Sequence, residues 1–495
     1  MKLTDRTFDR LARGSYYLIL TNFTNLAIGA IFWIIMAKIV DPASVGQAMV
    51  VIALATGVIG FTGYGVQVTI SKYISEYNAR NMKGMSRKVL KLGISLALGV
   101  SGIAGLSIAL LSGHIAQVAF NNPSLSNLLT FAAIIYIPSQ TLIAALAGAF
   151  QGSQKMHLTF ITYLVYEITR LTLAVALVLE GLSSFGILIG FCIGSVAASL
   201  LGYLYLLPKA VPKTNEGTKV DKGSVHILKF SGLNYFSVGM RTLSAQIGVL
   251  VLGTQSFEWA AFYGISVLIA NVVGGILVAV SRAILPTASE EWTRGKKDEF
   301  MKVFNTAIRI SLLISGFGFL IFMIDPGYVL GILSKSYIEA SSALRILVIS
   351  SIINAIGLIM ISLLNAADRA AVVAKIGLLS SSCIIVLTFV LSPMMGLDGA
   401  AVSMLVGSSL GLLLAIVMLR KEERVTISIN SVVKPALSIS VGLFVGFMLF
   451  ALLHNIIIAI AIASLSYALF SLGYRATNHN EIKRLLAIVL RTMKT

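Results

Sequence analysis

Charge, cysteine and long polar stretches are all scarce in this sequence, and each shortage excludes a class of protein. Only 12% of its 495 residues are charged, against 57% hydrophobic and a mean hydropathy of +0.91. Soluble globular chains do not share these values, so lipid is the main solvent of this one. No polar segment is long enough to fold as a separate soluble domain, and a single membrane-embedded helical bundle absorbs the whole length. The two cysteines, Cys192 and Cys383, lie within apolar runs. A thiol there behaves as a small hydrophobe, which excludes a disulfide framework or a cysteine metal cluster. The five histidines, His114, His157, His226, His454 and His479, are scattered without metal-ligand spacing. No small-residue cleavage pattern follows the first apolar run, so that run is expected to stay as the first span rather than to be removed as a signal peptide.

What is present is a series of about fourteen apolar runs, each long enough to cross a hydrocarbon core of about 30 Å. Six fall near 16–38, 44–69, 90–112, 126–150, 158–180 and 185–207. Six more fall near 228–252, 258–281, 303–325, 341–365, 373–394 and 398–419, and a last pair near 434–453 and 455–474. The fold class is therefore an all-α polytopic membrane protein. A formal charge of +18 would suggest a nucleic-acid binder in a soluble chain, but here the charges sit between the runs, and no nucleic-acid partner is expected. Of 38 Lys and Arg, 32 fall before the first span, in the even-numbered connections or after the last span. The other connections hold only Lys38 and Lys335. The positive-inside rule then places both termini in the cytoplasm of a multi-pass cell-membrane protein.

The polar stretch around residues 209–227 separates the two groups of six and reads as a linker between a lobe at 1–208 and a lobe at 228–420, with the helix pair at 434–474 added. Sliding the second group onto the first by 215 residues sets Ala261, Phe262 and Tyr263 over Gly46, Gln47 and Ala48, a weak internal similarity. In the tail, 475–495, Ile482, Leu485, Leu486 and Val489 alternate with Lys483, Arg484 and Arg491. That pattern fits a helix lying on the anionic membrane surface, or equally a solvated tail helix.

Several stretches resemble the polysaccharide-exporter branch of the multidrug, oligosaccharidyl-lipid and polysaccharide flippase superfamily. They are Ala37 to Gln47 with its Asp41-Pro42 pair; Gly148 to Lys155; Leu285-Pro286 with the basic loop Arg294 to Lys297; and Leu364 to Arg369 with Gly396 to Ala401. The resemblance lies in their order and spacing across nearly the whole chain. It implies a MATE-like arrangement of two six-helix lobes meeting in a V around a cavity, and alternating access. It also implies export of a lipid-linked oligosaccharide or polysaccharide precursor, on a polyprenyl or dolichyl phosphate or diphosphate. A monomer among membrane lipids, with no cofactor, is expected.

A charge at the centre of a span costs about 2.5 to 3.5 kcal/mol, so each one is a candidate for function. Arg241 lies about 18 Å above the cytoplasmic start of the seventh span, close to the midplane. No acid shares its helix. Asn234 is expected on its face and Gln246 roughly beside it. Arg241 reads either as a ligand for a headgroup or as a clamp on neighbouring carbonyls. Arg170, at similar depth in the fifth span, has Glu167 three residues before it. The two read as a structural ion pair or as a substrate or proton site. In the first span Asn22 and Asn25 share a face, and the 215-residue offset brings Asn25 one residue from Arg241. Hydrogen bonding between helices accounts for the same two residues without a substrate.

The deep charges sum to +1, which favours an anionic headgroup, since a planar guanidinium matches phosphate oxygens. A MATE-like multidrug or metabolite exporter of cations would be expected to carry a deep carboxylate in its first or seventh helix. Those helices offer Asn22, Asn25 and Arg241 instead. A membrane glycosyltransferase or glycan polymerase is disfavoured because the outer connections are short and no Gly-rich phosphate loop precedes Lys-Ser or Lys-Thr.

Overall fold

The computed structural model describes residues 2–211, 223–293, 297–367, 369–423 and 428–474. Most of the expected linker, and the whole expected tail helix, lie outside these residues. The chain forms two compact units, Met1–Gly264 and Ile265–Thr495.

In the first unit, α1 (Lys2–Ile39) ends where Asp41 and Pro42 begin α2 (Pro42–Ile59). The Asp41 carboxylate accepts a hydrogen bond from the Ser44 amide at 2.8 Å, and Pro42 occupies the first helical position. Each satisfies or removes an amide that the new helix would leave open. A π-helical segment, Gly60–Tyr64, joins α2 to α3 (Gly65–Ala79). Then follow α4 (Lys83–His114), α5 (Leu125–Phe131), a second π segment at Ala132–Tyr136, α6 (Ile137–Gly152), α7 (Met156–Leu179), α8 (Ser183–Leu201) and the short α9 (Leu207–Ala210). The last helix wholly within this unit is α10 (Gly223–Gly253), which packs on α2, α3 and the first π segment. Small residues allow the approach: a Cβ at Gly60 would come within 2.6 Å of Thr242, and one at Gly239 within 2.2 Å of the Phe61 ring. Without a hydrophobic force between helices in lipid, such close packing is what holds them together.

α11 (Phe257–Thr293) leads into the second unit, which contains α12 (Lys297–Ile324), α13 (Pro326–Leu333), α14 (Ser341–Ala366), α15 (Ala370–Glu423), α16 (Ile429–Leu453) and α17 (Ile456–Gly473). Its core gathers Leu277, Ile308, Ala355, Met360, Leu364, Ile376 and Ala415. The C-terminal pair docks on α12, where the Tyr467 hydroxyl donates to the Leu313 carbonyl at 2.6 Å and the Tyr467 ring meets Phe317 edge-on.

Twelve helices among the described residues are long and apolar enough to cross a membrane, or thirteen if α12 and α13, bent by 79°, form one span. The sequence leads to about fourteen; one of the missing spans is the bent pair α12–α13, which stands for the ninth expected span, and the other lies in α15, which contains two expected spans. Its interior holds Pro393 and Gly396, the latter at φ 56°. Beyond this break Gly407 packs against Ile384 and Ser380, and Gly411 against Ser380. The two arms therefore fold back on each other as a hairpin. Large apolar side chains stay exposed on outer faces, among them Leu110, Leu179 and Phe444, as expected where lipid replaces water.

Candidate functional site

The deep charges of the first unit occupy two different environments. Glu167 and Arg170 on α7 form a hydrogen-bonded ion pair, and both are buried, at 4% and 5% exposure. The guanidinium is caged by aromatic rings. Its carbon lies 4.6 Å from the centre of Phe32 on α1, 4.7 Å from Phe191 on α8 and 5.3 Å from Tyr166. Desolvated cation–π contacts of this kind contribute about 2 kcal/mol or more. The Tyr136 ring packs on Phe191, and its hydroxyl is 3.5 Å from that of Tyr166. Tyr163 and Tyr64 lie within electrostatic reach of the same group.

Glycines on α8 make the cage possible. A Cβ at Gly190 would lie 2.7 Å from the Ala174 Cβ and 2.9 Å from the Arg170 carbonyl oxygen, and one at Gly194 3.1 Å from the Arg170 nitrogen. Gly186, Gly190 and Gly194, four residues apart, thus lay α8 directly on the backbone that carries Arg170. Gly190→Ala should destabilise the folded protein by about 1 to 3 kcal/mol, since backbone atoms cannot yield as a side-chain tip can. A thermal melt in detergent with no shift relative to the unchanged protein would contradict this packing.

On α1, the Tyr17 ring packs at a tilt against His157 and Phe160 of α7, while Gly29 faces the Arg170 guanidinium. The two helices therefore run side by side in parallel. Asn25, one turn before Gly29, sits at the level of Tyr166 and Glu167. Its Oδ1 is buried and has no hydrogen-bond partner among the described residues. Asn22 is different: it is exposed, and its amide donates to the Leu18 carbonyl at 2.6 Å within its own helix. Gln140, one turn along α6 from Tyr136, also has a buried amide nitrogen without a partner among the described residues.

Arg241 stands apart from this cluster. Thr242, Leu243 and Gly239 meet α2 and the first π segment, so Arg241 projects from the opposite side of α10. It is exposed, and no acid or hydrogen-bond acceptor contacts its guanidinium among the described residues. Asn234 lies two turns earlier on the same face, but its side chain is outside the described residues. Gln246 is not brought to Arg241: five residues are about 140° of helical turn, and it lies half-buried on the side facing α2. α1, which carries Asn25, packs on α7, whereas α10, which carries Arg241, packs on α2 and α3. Sequence reasoning missed the aromatic residues of the cage. The four-residue glycine repeat in α8 was the available signal that something was packed unusually close.

The model of the polysaccharide biosynthesis protein family matches residues 11–292, more than half of the chain. The chain belongs to that family. This polysaccharide biosynthesis family member is similar to stage V sporulation protein B of Bacillus subtilis, at 22% identity over 96% of this chain and 97% of the relative. Its fold matches a structure of the lipid II flippase MurJ in an inward closed conformation, with a TM-score of 0.72 and 16% identity over 92% of this chain and 98% of the other. An inward-facing multidrug resistance MATE family transporter follows, with a TM-score of 0.68 and 14% identity over 83% and 97%. The family member is thus an all-helical, multi-pass membrane protein with the fold of flippases and transporters.

Proposed function

We propose that the protein is a flippase that moves a lipid-linked oligosaccharide or polysaccharide precursor from the cytoplasmic to the outer leaflet by alternating access. The observation that carries this reading is Arg241, exposed at span depth and without a partner among the described residues. A bare guanidinium at that depth costs about 2.5 to 3.5 kcal/mol in lipid, which favours an orientation toward water, where it is free to take a phosphate or diphosphate. Membership of a polysaccharide biosynthesis family and the resemblance to a lipid II flippase support a glycan carrier as its owner. An exporter of cationic drugs shares the fold, but an unpaired cation on the seventh expected span repels that cargo. The reading includes two six-helix lobes, an added C-terminal pair, and both termini in the cytoplasm.

The decisive test is translocation in proteoliposomes, offering lipid-linked oligosaccharide in one set and cationic dyes in another. Movement of dyes alone would overturn the reading. The orientation has its own check. Cysteines at Arg87, Lys219, Lys297, Arg424 and Lys483 should be labelled from the cytoplasm, and those at Asn121 and Tyr337 from outside. Labelling of positions 219 and 121 from the same side would refute it.

A further inference from the structure

Two of the four π-helical segments among the described residues lie within spans rather than near their ends. Ile115–Ala119 and Gly202–Leu206 fall near the ends of theirs, whereas Gly60–Tyr64 lies midway along the 38-residue run Pro42–Ala79, and Ala132–Tyr136 lies inside Leu125–Gly152. A π turn interrupts the α pattern for a single turn, is rare, and recurs where a helix carries function. Gly60–Tyr64 is also the weakest point of its span by composition. Gly57, Gly60, Gly63 and Gly65 place four glycines in nine residues, and only proline is less favourable than glycine in a helix.

The two halves of the span are docked on different neighbours. Before the turn, α2 packs chiefly on α10 and α8; after it, α3 packs chiefly on α6 and α4, through Val66, Ile70 and Ile74. At the turn itself one neutral hydrogen bond reaches α6, between the buried hydroxyls of Thr62 and Thr141 at 3.0 Å. Its net contribution is small, because each threonine can donate instead to a carbonyl one turn earlier in its own helix, as Thr69 does to Gly65. Gly63 faces Thr141 and Ala144 with no side chain of its own, so that contact is smooth. The turn also supports α10. Thr242 sits on Gly60, and Gly239 lies against the Phe61 ring, whose centre is 6.3 Å from that of Phe236. Arg241 projects from the opposite side of α10, so it faces away from the turn yet moves with the helix that rests on it.

We propose that Gly60–Tyr64 is a hinge within the first unit. About this turn α3 swings relative to α2, the Thr62–Thr141 bond opens, and α10 shifts with its Arg241. Hinges are a few residues that absorb a change of backbone angles between packed arms. Here each arm is fixed by buried apolar side chains, among them Val50 and Val51 on α2 and Ile70 and Ile74 on α3, while the turn is tied to α6 by one side-chain hydrogen bond. A static π turn, kept only to let α10 approach, would hold the same contacts throughout the cycle. The hinge rests on the reading of the protein as an alternating-access flippase.

The test is a reversible lock in the full-length protein, Thr62→Cys/Thr141→Cys, reconstituted in proteoliposomes. Hydroxyls 3.0 Å apart put sulfur atoms at the same positions within reach of a disulfide, and the single variants Thr62→Cys and Thr141→Cys control for oxidation elsewhere. Oxidising the pair should slow transport of lipid-linked oligosaccharide by about tenfold or more, and a reducing agent should restore it. Binding of a fluorescent polyprenyl diphosphate should survive the lock, because the locked packing is the one in which Arg241 is exposed. Equal transport by the oxidised and reduced pair would overturn the hinge and leave the flippase reading intact. Should the pair not oxidise, or its reduced form not transport, hydrogen exchange of the unchanged protein during turnover decides instead. Amides at 60–65 should then exchange faster than those at 48–56 and 68–74, and equal protection would overturn the hinge. Unchanged protein that neither transports the oligosaccharide nor binds the diphosphate would remove the reading on which the hinge rests.

Discussion

Arg241→Ala is expected to abolish most transport of a lipid-linked oligosaccharide while leaving the amount of folded protein unchanged. Loss of a charge-assisted, bidentate contact to phosphate should weaken headgroup binding about ten- to a hundredfold. Arg241→Lys keeps the charge and loses the planar fork, so it should retain partial activity. Folding is expected to survive because the side chain is exposed, while Leu243 holds α10 against α2 and Gly239 and Thr242 hold it against the first π segment. Transport and binding assays on the two variants, with size-exclusion profiles as the folding control, decide the matter. Normal transport by Arg241→Ala would end the proposal, and so would inactivity accompanied by aggregation.

Removal of Arg170 should have the largest effect on stability. Arg170→Ala takes away the partner of a buried carboxylate and also empties the space between three rings, at a cost of about 3 to 5 kcal/mol. Glu167→Gln should cost less, because Phe32, Phe191 and Tyr166 continue to hold the guanidinium. This asymmetry separates an aromatic cage from a simple ion pair, in which the two single changes would be equally harmful. The double variant Glu167→Gln/Arg170→Gln should recover part of the loss in a thermal melt, since no unpaired charge then remains. If it unfolds no later than Arg170→Ala, the ion pair is not what the cage protects. Transport is a separate readout: a stable double variant that remains inactive assigns the pair a role beyond structure.

The membrane helices were legible because lipid imposes a requirement on every segment that enters it. A helix must hide its own backbone and expose apolar side chains, so composition along some twenty residues identifies it without knowledge of its neighbours. The turn at Asp41-Pro42 was legible for a similar local reason, since a side chain three residues away caps the helix that begins there. The hairpin in α15 was equally local in origin: Pro393 and Gly396 interrupt a run far too long for one crossing. The chemical types of the deep residues could be read as well, and the i, i+3 spacing of Glu167 and Arg170 correctly placed them in contact.

Sequence alone could determine these features because each depends on residues within a few turns of one another. The tertiary structure decided which deep arginine is enclosed and which is open. Phe32, Phe191 and Arg170 are far apart in the chain, and only the packing of α1 and α8 on α7 brings the rings over the guanidinium. The same packing sets Asn25 at the level of Tyr166 and Glu167. Gln246 was likewise turned away from Arg241, by the helical period once α2 had claimed one side of α10. A span's sequence states how many polar groups it carries, but the free energy of each depends on the neighbour it meets, and neighbours are chosen by close fit between helices.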